Sequence, residues 1–289
     1  MEPRPAADRG ELGFAVWHGE PVRMSRSHVH HDFELNLVMR GSVTYLIGGR
    51  RVRLAAPRAY LFWASIPHHL LAGEEAYLGW IVLPVEWLWR WGLDEATRGA
   101  MLGGAVMAER SPEPGDGETL ERWAATLERR ERAWDRVVEL EVEARLRRMI
   151  LQGLEPVPAL GWDAGGAAED RMPRPAAAGE SATLATVEAM AAFMTRRFRD
   201  DLSVADVADH VSLHPNYAMR LFRRHMGMTL IDYLTRQRVA EAQRRLLISD
   251  GPVLNIAFDC GFGSASRFHD AFRRTTGTTP GAFRRGESG

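Results

Sequence analysis

Two sets of side chains in this sequence could do chemistry. The first lies near the N-terminus. His28, His30, Glu34 and Gly41 follow the spacing H-x-H-x3-E-x6-G, and a second histidine pair, His68-His69, follows the run AYLFWAS and Pro67. Histidines at alternate strand positions point to one face, where they can share a divalent ion with a carboxylate and a distant histidine. His28, His30, Glu34 and His68 are therefore candidate metal ligands. The same four groups, joined by Asn36, Trp63 and Trp80, can instead recognise an organic effector, because an inward indole can stack on a sugar face. Three readings stay open: a catalytic metal, a metal kept for structure or sensing, and a small organic molecule. The third is adopted here, with no cofactor required and a divalent metal retained as a candidate. Trp87, Trp89 and Trp91 read as core or interface aromatics.

The second set lies in a repeat. Residues 202–229 (LSVADVADHVSLHPNYAMRLFRRHMGMT) align with residues 253–280 (VLNIAFDCGFGSASRFHDAFRRTTGTTP). Val207-Ala208 pairs with Ile256-Ala257, Phe222-Arg223-Arg224 with Phe272-Arg273-Arg274, Gly227 with Gly277 and Thr229 with Thr279. The offset is 49 residues before the turn and 50 after it, so one turn is a residue longer. Such a period marks two copies of one supersecondary unit. Each copy has the parts of a helix-turn-helix: a short helix with a small residue, Ala208 or Ala257, a turn, and a second helix opened by Pro215 or capped by Ser264. On a helical wheel Ala218 and Phe222 face inward in one second helix, and Phe268, Ala271 and Phe272 in the other. The outward faces carry Asn216, Tyr217, Arg220 and Arg224, and Ser266, Asp270 and Arg273, with Met219, Arg223, Ser264, Arg267 and Arg274 beside them. Arginine can grip guanine or phosphate and asparagine can read adenine, so these twelve are the candidate DNA contacts. Charge agrees with that placement: from Ser181 onward 15 arginines face 11 acidic residues, a net of +4, although the whole chain sums to −1.

Elements must hold both sets in place. Residues 14–83 alternate short apolar runs with Gly, Pro and polar punctuation, the pattern of antiparallel strands in a small barrel or sandwich. Residues 117–151 turn to helical spacing, in one or two amphipathic helices joined near Glu131. Residues 152–182 are rich in Gly, Pro and Ala without periodicity, which marks a connector. Residues 230–249 space Leu234, Val239, Ala242 and Leu246 as a long helix between the two copies. The result is an α+β two-domain chain. A β-barrel fills 1–116, a helical dimerisation region 117–151, a flexible linker 152–182, and an all-α DNA-binding domain 183–289. The N-terminus lacks the apolar stretch of a signal peptide and no run is long enough for a membrane span, so a cytoplasmic protein is expected. A single cysteine, Cys260, excludes a disulfide framework, a cysteine-based zinc site and methyl-transfer repair chemistry.

The pattern I-A-x-x-x-G-F-x-S-x-S-x-F-x-x-x-F-R-R-x-x-G-x-x-P, from Ile256 to Pro280, resembles the signature of AraC/XylS transcription regulators. The N-terminal histidine and glutamate spacing resembles the two motifs of cupin barrels, although WASIPHH lacks the glycine usual before its histidine. NYAMRLFRRHMGMTLIDYLTRQRV and SHVHHDFELNLVMRGSVTYLIGG further resemble sugar-responsive activators of the first family. These resemblances imply a cupin-like sensor barrel joined to a seven-helix double helix-turn-helix domain. They also imply a sugar or related effector, double-stranded DNA and RNA polymerase as partners, a homodimer, and activation as the output. The alternative is a metal-dependent cupin enzyme fused to a DNA-binding module. Gly263 departs from the family at a position where polar residues are common, so the first unit is expected to carry more of the specificity.

Overall fold

The strand β2 (Phe33–Ile47) is buried along most of its length, as a strand must be when both faces of its sheet are covered. In this computed structural model, which describes residues 14–22, 30, 32–160 and 180–285, β2 is the spine of a seven-stranded antiparallel sheet. The other strands are β1 (Ala15–Gly19), β3 (Arg50–Ala55), β4 (Arg58–Trp63), β5 (His68–Leu83), β6 (Met107–Glu109) and β7 (Leu154–Pro156). One edge of β2 pairs with β5 throughout. The other is shared, with β4 along Phe33–Val38 and β3 along Ser42–Ile47. The order β1-β5-β2-β4-β6-β7 does not return on itself: among the described residues no ladder joins β1 to β7, so the expected barrel is an open, bent sheet. Its edges are protected by other means, since helix α2 lies against β1 and β7 is only three residues long.

Among the described residues a short 3-10 helix (Val85–Arg90) and three α-helices accompany the sheet: α1 (Glu95–Leu102), α2 (Asp116–Glu128) and α3 (Arg132–Gln152). The break between α2 and α3 falls at Arg129–Glu131, where Arg130 takes a left-handed φ of 55°. Val138, Val142, Leu146 and Met149 of α3 complete the sensor core. Trp134, Val137, Leu140 and Leu151 of the same helix stay exposed. A buried ion cluster enters this core. Arg145, 1% exposed, pairs with Glu109 at 2.6 Å, Asp116 at 2.7 Å and Glu113 at 3.3 Å. Glu109 in turn accepts the backbone N–H of Ala59. The connector expected from residue 152 begins with order: β7 pairs with β6, and Leu160 N–H reaches Arg51 O at 2.8 Å. Residues 161–179, the rest of that connector, lie outside the described residues.

The C-terminal part is helical: α4 (Glu180–Arg197), α5 (Val204–His210), α6 (Pro215–Met226), α7 (Leu230–Ile248), α8 (Val253–Asp259), α9 (Ala265–Thr276) and α10 (Pro280–Arg284). The repeat is visible in its punctuation. Ser203 and Asp206 form a capping box on α5, Thr229 caps α7 and Thr279 caps α10. Gly227 and Gly277 end α6 and α9 in the left-handed conformation. Two cores follow, one around Phe222 and Tyr233 and one around Phe268 and Phe272, and α7 contributes to both. No helix of the described residues is long and apolar enough to cross a membrane.

Replacing Arg145 by Ala is expected to cost about 3–5 kcal/mol, because Glu109 would be left charged and buried. Urea unfolding of the full chain measures this. A loss below about 1 kcal/mol would show that Glu109 finds another partner or a proton.

Candidate functional site

Capping sets the direction of α6 and α9, the second helices of the two units. His214 Nδ1 accepts the backbone N–H of Asn216 at 3.3 Å and starts α6 at Pro215. Ser264 Oγ accepts the backbone N–H of Arg267 at 3.3 Å and starts α9. With Ala218, Leu221, Phe222 and Met226 inward, α6 exposes Asn216, Tyr217, Met219, Arg220, Arg223 and Arg224. With Phe268, Ala271, Phe272 and Thr276 inward, α9 exposes Ser266, Arg267, Asp270, Arg273 and Arg274. Of the twelve candidate contacts only Ser264 differs, since it is half-buried and its hydroxyl serves the cap. His269, not among the twelve, is exposed on the same helix.

The polar groups of the sensor meet in a buried cluster. Glu34 and Asn36 lie two apart on β2 and share one face of the sheet with their β5 partners Val82 and Trp80. Glu34 Oε1 lies 2.9 Å from His30 Nε2 and 3.2 Å from His68 Nε2, and Asn36 Nδ2 donates to Glu34 Oε2 at 3.2 Å. Tyr45 donates to Asn36 Oδ1 at 3.2 Å and accepts from Trp80 Nε1 at 3.0 Å. All of these residues are buried. Burial, and then the Glu34 carboxylate, push the Tyr45 phenol well above its ordinary value, so it stays a donor. Burial pushes the His30 imidazole down, against the pull of Glu34, which keeps it in the form that can ligate.

One contact constrains what fills the cluster. His68 Nδ1 lies 3.0 Å from the Ile66 carbonyl, which only accepts, so Nδ1 carries a hydrogen. The other ring nitrogen, Nε2, faces Glu34 Oε1. His30, Glu34 and His68 each offer one ligand atom, all within 4.8 Å of one another, and two imidazoles with a carboxylate fit a divalent ion. His28, the other ligand candidate, lies outside the described residues.

Trp63 does not join this cluster. The β2–β4 register pairs it with Phe33, on the face opposite Glu34, and the two rings stack at 6.4 Å. Three residues absent from the expected set do join it. Tyr45 bridges Asn36 and Trp80, Phe62 lies edge-on to His68 at 5.4 Å, and Trp17 stacks on Trp80 at 6.0 Å. Phe62 and Trp17 pair with Glu34 and Trp80 in the ladders, a signal available once register is known. Tyr45 is harder to find. Three register shifts between Val38 and Tyr45 reverse which alternate residues of β2 point inward.

Comparison with known proteins agrees with both halves of the chain. Residues 16–147 match the AraC-like ligand binding domain, and residues 207–286 match a helix-turn-helix domain. The chain is 29% identical over 266 residues to the melibiose operon regulatory protein of Escherichia coli K12, covering 92% of this chain and 85% of that one. It is 33% identical over 108 residues to the HTH-type transcriptional activator RhaS of Escherichia fergusonii, covering 37% of this chain and 39% of that one. A solved structure of the DNA-binding domain of AdpA with a target DNA aligns at 30% identity over 35% of this chain and 91% of that one, with a TM-score of 0.34.

Proposed function

We propose that the chain is a DNA-binding transcription regulator of the AraC type whose ligand-binding domain takes a small sugar that controls it. The observation that carries this reading is the buried chain Glu34–Asn36–Tyr45–Trp80 beneath the stacked Trp17. A carboxylate, an amide and a phenol can exchange hydrogen bonds with hydroxyls, while indole faces cover the apolar side of a pyranose. The melibiose and rhamnose-type regulators among its relatives support an α-galactoside or a similar sugar. The protein is thus a sensor that acts on DNA in the cytoplasm, not an enzyme.

In this reading the exposed faces of α6 and α9 enter successive major-groove segments. α7 has 19 residues, or about 28 Å of helix, which approaches the roughly 34 Å between equivalent groove positions. Asn216, Arg220 and Arg224 can read or grip DNA from α6, and Arg267, Arg273 and Arg274 from α9. Met219 and Tyr217 would supply apolar contact, and the exposed Arg223, Ser266 and Asp270 would meet the backbone or base edges. The exposed Trp134, Val137 and Leu140 of α3 suit a helix-to-helix homodimer, which RNA polymerase would meet at the promoter. Sugar binding then shifts the balance between two dimer arrangements and changes which half-sites are occupied.

A second reading attaches to His68. A divalent cation held by His30, Glu34 and His68, whose ligand atoms lie within 4.8 Å of one another, could fix the cluster for the sugar, supplying a Lewis-acid contact to a hydroxyl.

Arg220→Ala is expected to weaken operator binding by about 1–3 kcal/mol and relax preference at one base pair, and Arg273→Ala to cost less. Competition binding against single-base variants decides this, and equal losses on every variant would make Arg220 a phosphate contact. A thermal-shift panel on the full chain should find a stabilising sugar, melibiose and rhamnose included. Glu34→Gln should abolish that shift, and a panel with no response overturns the sugar reading. For the cation, one equivalent of zinc per chain in the purified protein, lost in His68→Ala, is the expected result. A chain that binds no zinc on titration dismisses it.

A further inference from the structure

One helix touches all three working parts of the chain. Near its middle, α4 meets the sensor. Glu188 pairs with Arg51 at 2.5 Å, and Leu46 and Leu71 share a core with Val187, Met190 and Ala191. The β2–β3 turn comes so close that a Cβ on Gly49, at φ 75°, would lie 2.5 Å from Ala192 N. The same core takes in Val207 and Ala208 of α5 and Ala218 and Phe222 of α6, so α4 is also part of the first helix-turn-helix unit.

The C-terminal end of α4 meets the second unit. The last carbonyls of a helix have no partners within it and carry its negative pole. Here Arg238 of α7 supplies partners just beyond α4: its Nε donates to Phe198 O and its guanidinium to Asp200 O, both at 2.7 Å. Arg199 pairs with Glu241 of α7 at 2.8 Å. Burial alone would push the Glu241 carboxyl up, but hydrogen bonds from Arg244, Arg245 and Arg199 hold it at about 2, and Arg245 reaches on to Asp259 of α8. The turn between α8 and α9 then sits on the same segment. Gly261 has φ 84°, and a Cβ there would lie 2.8 Å from Arg199 O and 2.9 Å from Phe198 O. In the first unit Ser212 adopts the left-handed conformation at its own turn, whereas the second unit has glycine where the turn meets this backbone.

A connecting helix alone sets the separation of two units but leaves their angle to the stiffness of that helix. A second contact, from the α8–α9 turn to the end of α4, closes a triangle with α7. We propose that Arg238 and Gly261 are positioning residues for DNA recognition, seating the second helix-turn-helix unit on the end of α4 and so fixing α9 against α6. The same helix is held by the sensor at Gly49 and Arg51, so the sensor reaches both reading helices through it. This rests on α6 and α9 being the reading helices.

The test measures geometry and DNA binding separately. Spin labels at Tyr217→Cys and His269→Cys, both exposed, report the α6–α9 distance in the full chain without DNA. Cys260 is buried and its thiol is pushed up to about 12, so it stays unlabelled. One narrow distance is expected, broadened by Arg238→Ala and by Gly261→Ala and restored in part by Arg238→Lys. On selected DNA, the unlabelled Arg238→Ala chain should bind a two-half-site probe about tenfold more weakly, yet a one-half-site probe within about twofold. An unchanged distance distribution, or equal losses on both probes with a lowered melting temperature, overturns the proposal. A broadened distance with neither probe affected instead overturns the reading of α6 and α9. Should Gly261→Ala fail to fold, Arg238→Ala and Arg238→Lys carry the test.

Discussion

The register of β2 against β5 is the constraint on which the rest of the sensor domain depends. A slip of one residue would turn every inward side chain outward. With the observed pairing, Asn36 opposite Trp80 and Ile47 opposite His68, the polar cluster forms on one face. Leu46 opposite His69 then lies on the other, where Leu46 packs into the core shared with α4. The bulges between Val38 and Tyr45 make both outcomes possible in one strand, because they change the inward parity partway along it. The strand therefore presents Glu34 and Tyr45 to the same interior although they are eleven positions apart.

The interior so formed is costly. A buried carboxylate, two buried imidazoles, an amide and a phenol would each be penalised alone, and the cluster is tolerable only because the groups satisfy one another. Such a network is poised to exchange partners, since a ligand with hydroxyls, or a cation, can replace internal bonds without leaving a group bare. Arg145 shows the contrasting case. Its carboxylate partners Glu109, Asp116 and Glu113 tie helices α2 and α3 to the sheet, at a distance from the cluster, and the arrangement reads as structural.

The helical half solves a different problem. Its two units are small, each with a core built on a few aromatic residues, and neither has much surface to bury alone. Shared elements compensate: α7 gives side chains to both cores, and α4 packs on the first unit, the second unit's turn and the sensor. The exposed faces of α6 and α9 remain free of such duties, which leaves their arginines available for a partner.

The amino-acid sequence by itself determined the double helix-turn-helix and the break between α2 and α3. Each of these is written locally, in helical period, capping residues and a repeat that aligns with itself. It also marked His30, Glu34, Asn36, His68 and Trp80, whose types and spacing are informative without a fold. Only the tertiary structure decided that the sheet stays open, that Trp63 turns away from the cluster and that Tyr45 and Trp17 enter it. Strand pairing and bulges set which face a residue occupies, and these depend on partners distant in sequence. The hold of α4 on Gly49 and Gly261 was equally hidden. A glycine in a sequence shows that a turn is possible, whereas the backbone that presses against it belongs to another element.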